Sequence, residues 1–399
     1  MHPKFHLTRK AKLKNPRITA LLATAVFGLS SAVNAADISS AEAMKTISAA
    51  VLPVMEKNQI PGMAVALVLG DRTYVFNYGV SDVEKQTPVT DETIFEIGSI
   101  SKTFTATLAT QAEATGKLKL TDTAAKYLPE LAGTDFGNLQ LFHLGTHTVG
   151  GIPLQVPDEV QNREQLLEYF RTWTPAYKTG TMRTYANPSI GALGWITAKS
   201  MGQDFGTAMT QTIFQPLGLT NTYLSVPTQK MSNYAWGYNK DKKPVRVNPG
   251  MLDSEAYGIK TTASDLSTFV KANMGILPLD STLQAAFNNT RKSYFSVGKM
   301  TQDLIWEEYA MPVDLPTLQE GNAPKLILNP TPVSTQELSA KPRSNVWVNK
   351  TGATNGFGAY VAFVPEKQFG VVLLANKNYP NAERVEIAYK IYSKLNGKQ

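Results

Sequence analysis

Met63-Ala64-Val65-Ala66-Leu67-Val68-Leu69, then Gly70-Asp71, then Thr73-Tyr74-Val75-Phe76-Asn77-Tyr78 is the stretch from which the fold is read. Two apolar, β-rich runs on either side of a Gly-Asp turn signal predict a strand pair, and Pro61-Gly62 marks where it starts. The far end of the chain mirrors this pattern, with three further strands predicted over 345–350, 358–364 and 369–374. Helices flank both groups. Ser39 and Glu42 have capping-box spacing, and Met44, Ile47, Val51, Val54 and Met55 then repeat at helical intervals. Near the other terminus Val385, Ala388, Tyr392 and Leu395 share one helical face.

Between these ends the chain reads as mostly helical with long loops, helices being predicted over 99–115, 163–172, 190–201 and 263–274. The expected class is therefore α/β of the α+β kind. One antiparallel sheet is built from both chain ends (about 36–94 and 340–399) with helices packed on it, and a mostly helical subdomain (about 95–290) is inserted. Residues 291–339 carry no assignment, because 299–342 is proline-rich and follows neither period. The chain shows neither an internal repeat nor a low-complexity tract.

Residues 1–35 stand apart. Lys4, Arg9, Lys10, Lys12, Lys14 and Arg17 precede an apolar run over 18–32, which ends on Val33-Asn34-Ala35 with Ala36 behind it. This is the pattern of a secretory signal cleaved near Ala35/Ala36. The run is shorter than the roughly 20 apolar residues that span a bilayer, which argues against a membrane anchor.

The signal also accounts for the basic charge. The whole chain carries 39 basic and 32 acidic side chains, +7 overall, but six of the basic ones lie in residues 1–35. Residues 36–399 are close to neutral, so the charge gives no reason to expect nucleic acid as a partner. Their 364 positions are enough for a large core and include no cysteine, which excludes disulfides, cysteine nucleophiles and thiolate metal sites. His2 and His6 fall in the signal, leaving His143 and His147.

Three short motifs carry chemistry. Ser99-Ile100-Ser101-Lys102 opens a strong predicted helix, which puts Ser99 and Lys102 on one face of the first turn. A serine at a helix N-terminus also sits where free N–H groups favour developing negative charge. Tyr185-Ala186-Asn187 precedes Pro188, which favours extended backbone at Asn187 and so points phenol and carboxamide the same way. Lys350-Thr351-Gly352 ends a predicted strand, where lysine and threonine can bind a carboxylate and Gly352 lets a substrate lie against the backbone. Taken singly, each is weak, since S-x-x-K is more often a capping serine with a solvated lysine.

Together, in this order, they resemble the penicillin-recognising serine enzymes, which use an S-x-x-K nucleophile, a middle element and K-T-G. The middle element here is Tyr-Ala-Asn, whereas the class A enzymes use Ser-Asp-Asn with a separate glutamate. Phe95-Glu96-Ile97-Gly98-Ser99, Leu154-Gln155, Ala256-Tyr257-Gly258, residues 350–364 and Ala375-Asn376-Lys377-Asn378-Tyr379-Pro380-Asn381 resemble the class C β-lactamases, the cephalosporinases. The resemblance covers nearly all of residues 36–399. It is weakest over 299–342, where the glycines expected before Trp306 are absent.

The resemblance implies hydrolysis of the β-lactam amide, with cephalosporin preference, through a Ser99 acyl-enzyme, with Lys102, Tyr185 and Lys350 as the other catalytic residues. It implies an oxyanion hole from the N–H groups of Ser99 and Ala353. Lys350, Thr351, Asn381 and Arg384 would hold the substrate carboxylate, Gln155 and Asn187 its amide side chain, and Tyr257 would form a wall; Gly352 and Asn378 complete the binding set. A periplasmic, monomeric enzyme with a small β-lactam substrate and no cofactor is expected.

Elementary chemistry leaves the base open between Lys102 and Tyr185, whose ordinary pKa values of about 10.4 and about 10 are both too high for a free base at neutral pH. Crowding Lys102 and Lys350 around one phenol favours the phenolate. A D-Ala-D-Ala carboxypeptidase or an esterase on the same scaffold, and a non-catalytic sensor that acylates and stops, are the competing readings. His143 and His147 have the spacing of a helical zinc pair, but the zincin glutamate and a third ligand are missing, so no metal is expected. No G-x-S-x-G elbow is present, and the basic loop over 240–246 reads as a solvated hairpin rather than a binding patch, although the family resemblance places it near the substrate rim.

Overall fold

The structure is a computed structural model that describes residues 38–397 except 337, 338 and 340. The expected signal over 1–35 lies outside the described residues. All eight positions of strand β1 (Gly62–Leu69) are buried, so its apolar run lies between two covered faces. Met63, Val65, Leu67 and Leu69 meet Ile47 and Val51 of helix α1 (Ser40–Asn58) on one face, while Ala64 and Ala66 meet Phe104 and Phe269 on the other. Ser39 caps α1, its hydroxyl accepting the Glu42 N–H at 3.2 Å.

The remaining strands of the large sheet are β2 (Arg72–Asp82), β3 (Thr87–Pro88), β4 (Phe295–Val297), β5 (Met300–Gln302), β6 (Glu307–Ala310), β7 (Ser334–Thr335), β8 (Val346–Ala353), β9 (Gly358–Val364) and β10 (Phe369–Ala375). They pair antiparallel throughout, in the order β7-β4-β5-β6-β8-β9-β10-β1-β2-β3. The two chain ends meet in the middle, Met63 opposite Ala375 and Leu69 opposite Phe369.

The expectation that the sheet comes only from the chain ends is incomplete, because the unassigned region supplies β4 to β7. These strands are two to four residues long, too short to show a period. One of them is charged in the interior: Glu308 is buried and held by Arg291 at 3.1 Å and Arg343 at 2.9 Å.

The helices that matter for the site are α2 (Ser101–Ala114), α3 (Arg163–Thr172), α4 (Asn187–Ser200), α5 (Ala263–Asn273) and α6 (Asn381–Asn396). Helix α6 lies with α1 on one face of the sheet and α5 lies on the other. Helix α2 joins two cores. Phe104 and Leu108 face the sheet, while Ala106, Ala109 and Ala112 face the helical region around Leu144, Ile190 and Leu193.

Its threonines are buried without loss, because their hydroxyls donate to carbonyls: Thr105 to Glu255 at 2.6 Å, Thr107 to Thr103 at 2.8 Å and Thr110 to Ala286 at 2.9 Å. Helix α4 begins earlier than predicted. Ala186 is the last extended residue (φ −150°, ψ 136°), and Asn187 is already helical with Pro188 in the first turn, where proline costs nothing.

Phe104 stacks on Phe269 at 3.7 Å and meets the edge of Phe214 at 6.0 Å. Phe104→Ala is expected to lower stability by about 3–5 kcal/mol, read from urea unfolding midpoints.

Candidate active site

Ser99 sits in a tight turn, Gly98–Ile100, one residue ahead of α2 rather than at the first position of the helix itself. Two glycines bring that turn against the end of β8. Gly98 has φ +50°, and a Cβ there would stand 2.5 Å from the Ala353 nitrogen. A Cβ on Gly352 would stand 1.9 Å from the Ile97 carbonyl oxygen. The backbone packed against Gly352 is the chain's own Ser99 turn, and Gly352 also lines the cavity. The result places Ser99 beside Ala353.

Lys102, fully buried at the second position of the helix, donates to Ser99 Oγ at 2.9 Å and to the Ala256 carbonyl at 2.9 Å. Tyr185 arrives on the extended stretch before α4, with Lys102 Nζ 5.2 Å and Lys350 Nζ 5.1 Å from its ring centroid. Lys350 is buried on β8, 3.8 Å from Glu307 Oε1. Burial pushes the Lys102 ammonium down to about 8, with Tyr185 opposing the fall and Lys350 adding to it. Burial raises the Tyr185 phenol, but Lys102 and then Lys350 outweigh it and bring the phenol down to about 8. Lysine and phenol thus stand side by side with closely matched proton affinities, next to the Ser99 hydroxyl.

Groups that no sequence motif announced surround this unit. The Arg183 guanidinium lies 5.4 Å from the Tyr185 ring centroid and donates to Gln302 Oε1 at 2.7 Å, the Leu326 carbonyl at 2.7 Å and Glu307 Oε1 at 2.9 Å. Glu307 is therefore shared by Arg183 and Lys350. The only available signal was Arg183 standing two residues before Tyr185 in extended chain; Glu307 lies in the region without an assignment.

A cavity of about 1220 Å³ opens over Ser99. Tyr185, Asn187, Gln155, Tyr257, Thr351, Gly352, Ala353 and Asn381 line it, while Lys102 and Lys350 lie buried beside it. Asn187 Nδ2 donates to Gln155 Oε1 at 2.7 Å, so these two residues are brought together even though Asn187 is helical. Arg384 and Asn378 are not in the lining. Arg384 is 1% exposed and donates to the carbonyls of Gly352 at 2.7 Å and Ala359 at 3.2 Å and to Asn378 Oδ1 at 2.5 Å. These donors serve groups behind the cavity, and Asn378 is exposed outside its lining.

Other expectations are redrawn here too. The basic loop is a hairpin (Gly237–Tyr238 against Pro244–Val245), and Arg246 beside it is half-buried. It stacks on the rings of Tyr234 at 3.9 Å and Trp236 at 4.2 Å and lines the cavity. His143 is paired through Nδ1 with Thr148 Oγ1 at 2.8 Å, whereas His147 packs on the Tyr185 ring. Among the described residues no group of three His, Asp or Glu side chains could hold a metal ion.

The match to known proteins agrees with this geometry. A β-lactamase family model fits residues 47–395. The chain belongs to the β-lactamase family. A β-lactamase from Pseudomonas fluorescens is 48% identical over 351 residues, covering 88% of this chain and 98% of that one. A class C β-lactamase solved in complex with cefoxitin superposes with a TM-score of 0.87 at 46% identity, covering 90% of this chain and all of the other. A D-alanine carboxypeptidase from Burkholderia cenocepacia superposes with a TM-score of 0.86 at 49% identity, covering 89% of this chain and 100% of that one. This β-lactamase is a class C hydrolase.

The two ammonium groups of this β-lactamase act on the phenol with a definite sign. Lys350→Gln removes a cation that favours phenolate, so the Tyr185 pKa should rise above 8. Absorbance titration at the phenolate band, taken as a difference against Tyr185→Phe, measures it.

Proposed function

We propose that the enzyme hydrolyses the β-lactam amide through an acyl-enzyme on Ser99, with cephalosporins preferred. The observation that carries this reading is Lys102 Nζ at 2.9 Å from Ser99 Oγ, with the Tyr185 ring between two ammonium groups. Ser99 Oγ attacks the lactam carbonyl carbon as its proton passes to the Lys102–Tyr185 unit. The carbonyl π pair moves onto oxygen, where the N–H groups of Ser99 and Ala353 meet it; such donors are typically worth on the order of 10²–10³ in rate.

The C–N bond then breaks, and the Tyr185 phenol protonates the departing ring nitrogen. In the second half a water attacks the ester, Tyr185 takes the water's proton, and Ser99 leaves with a proton returned to it. Lys350, Thr351 and Asn381 hold the substrate carboxylate, Gln155 and Asn187 its amide side chain, and Tyr257 a wall. The cefoxitin complex of a class C relative supports the choice of cephalosporins.

D-alanine carboxypeptidase activity is the second reading, favoured by the relative of that name. It uses the same acyl-enzyme, with D-alanine in place of the lactam nitrogen as leaving group. Steady turnover of a chromogenic cephalosporin separates the two. Purified protein is expected to pass through many cycles, whereas stoichiometric labelling followed by slow release would favour the peptidase. Ser99→Ala should lower kcat by on the order of 10³-fold or more with an unchanged unfolding midpoint.

The enzyme works in the periplasm as a monomer once residues 1–35 are removed. Intact mass of the exported protein should begin at Ala36, and a mass that retains the basic segment would refute export by cleavage.

A further inference from the structure

His147 is buried, 1% exposed, and the chemistry above does not use it. It ends the short helix Leu141–Thr146 in left-handed backbone, φ 60° and ψ 32°. From there it holds the Tyr185 stretch on both sides. Its carbonyl accepts the Thr184 N–H at 2.8 Å, and its ring Nδ1 accepts the Ala186 N–H at 3.3 Å. Its ring lies against the Tyr185 ring, centroids 4.3 Å apart at 38°. One residue therefore fixes the backbone before and after the phenol and packs on the phenol itself.

We propose that His147 is a positioning residue for Tyr185, a neutral imidazole that accepts at Nδ1 and keeps the phenol between Lys102 and Lys350. Acceptance at Nδ1 requires the proton on Nε2, since only an unprotonated ring nitrogen can receive an N–H. The charged groups that face the ring are Arg183, on the Tyr185 stretch, Lys102 of α2 and Lys350 of β8. Burial first, then these three cations, hold the imidazole well below its ordinary pKa. A cation at this point would lose the Ala186 N–H and repel all three. A neutral ring gives the phenol a rigid neighbour without changing the charge that tunes it.

This inference rests on Tyr185 as the proton carrier, and its failure can be told from failure of that reading. If Tyr185→Phe retains kcat, the carrier reading fails whatever His147 does. With that reading intact, His147→Phe keeps a ring but loses the acceptor. It should lower kcat about tenfold or more, leave KM within about twofold, and raise the Tyr185 titration by about one unit as the phenol drifts from the lysines. His147→Asn supplies an acceptor oxygen near the place of Nδ1 and tolerates left-handed backbone, so it should rescue most of that loss.

Histidine nitrogen chemical shifts of the unmutated enzyme, which do not depend on either variant folding, should show the neutral Nε2–H tautomer between about pH 5 and about pH 9. An Nδ1–H or charged ring would overturn the proposal. So would a folded His147→Phe enzyme with unaltered kcat and pH profile, or a folded His147→Asn enzyme that loses as much as the phenylalanine variant.

Discussion

Backbone against backbone, with no side chain between, is the contact on which this molecule depends. The Gly98–Ile100 turn carries Ser99 on the helical side, and β8 ends at Ala353 on the sheet side. Only hydrogen fits at Gly98 and Gly352, so the two halves approach until Ser99 and Ala353 share one corner. Helix α2 keeps the turn in place because it is buried in two cores at once, one against the sheet and one in the helical region. A looser packing of either core would open that corner, and misplacement by ~1 Å is enough to cost a reaction about two orders of magnitude.

Charge in the site follows from burial. Lys102, Lys350 and Arg183 are all withdrawn from water around one phenol, and Glu307 is the carboxylate placed between Arg183 and Lys350. An excess of buried cations is costly in isolation. Here part of the cost is offset by letting the phenol ionise and the lysine lose its proton, both near 8. Two proton-carrying groups are thus brought toward neutral pH, while burial and the three cations hold the His147 imidazole well below its ordinary pKa. His147, which the sequence offers as half of a metal pair, is better understood as part of this balance.

How much could be read beforehand differed from element to element, for physical reasons. The hairpin of β1 and β2 was legible because Gly70 supplies the positive φ, +61°, that its turn requires. The strands β9 and β10 were legible because both faces are buried and the runs stay apolar, and β8 because it opens on Val346-Trp347-Val348. Strand β6 was not, because its glutamates are satisfied by arginines distant in sequence, and burial by ion pairing leaves no apolar trace. Ser99, Lys102, Tyr185 and Lys350 lie in short fixed motifs, so the resemblance brought them together. Arg384 shows the limit of resemblance. Its neighbourhood was right, but its Nη1 and Nη2 groups donate to Gly352, Ala359, Asn378 and Tyr379, partners that no motif announces.

The pairing of β1 with β10 has a consequence for how the protein comes into being. Met63 finds its neighbour at Ala375, so the central sheet cannot close until nearly the whole polypeptide has left the ribosome. Helix α6, which comes last, carries the guanidinium that supports Gly352 beside the nucleophile. Such long loops are entropically slow to close, which lengthens the interval during which the chain stays open and threadable. A nascent chain that already contains Ser99, Lys102 and Tyr185 is still chemically idle. Competence arrives only when residues 381–396 have been made and have packed as α6.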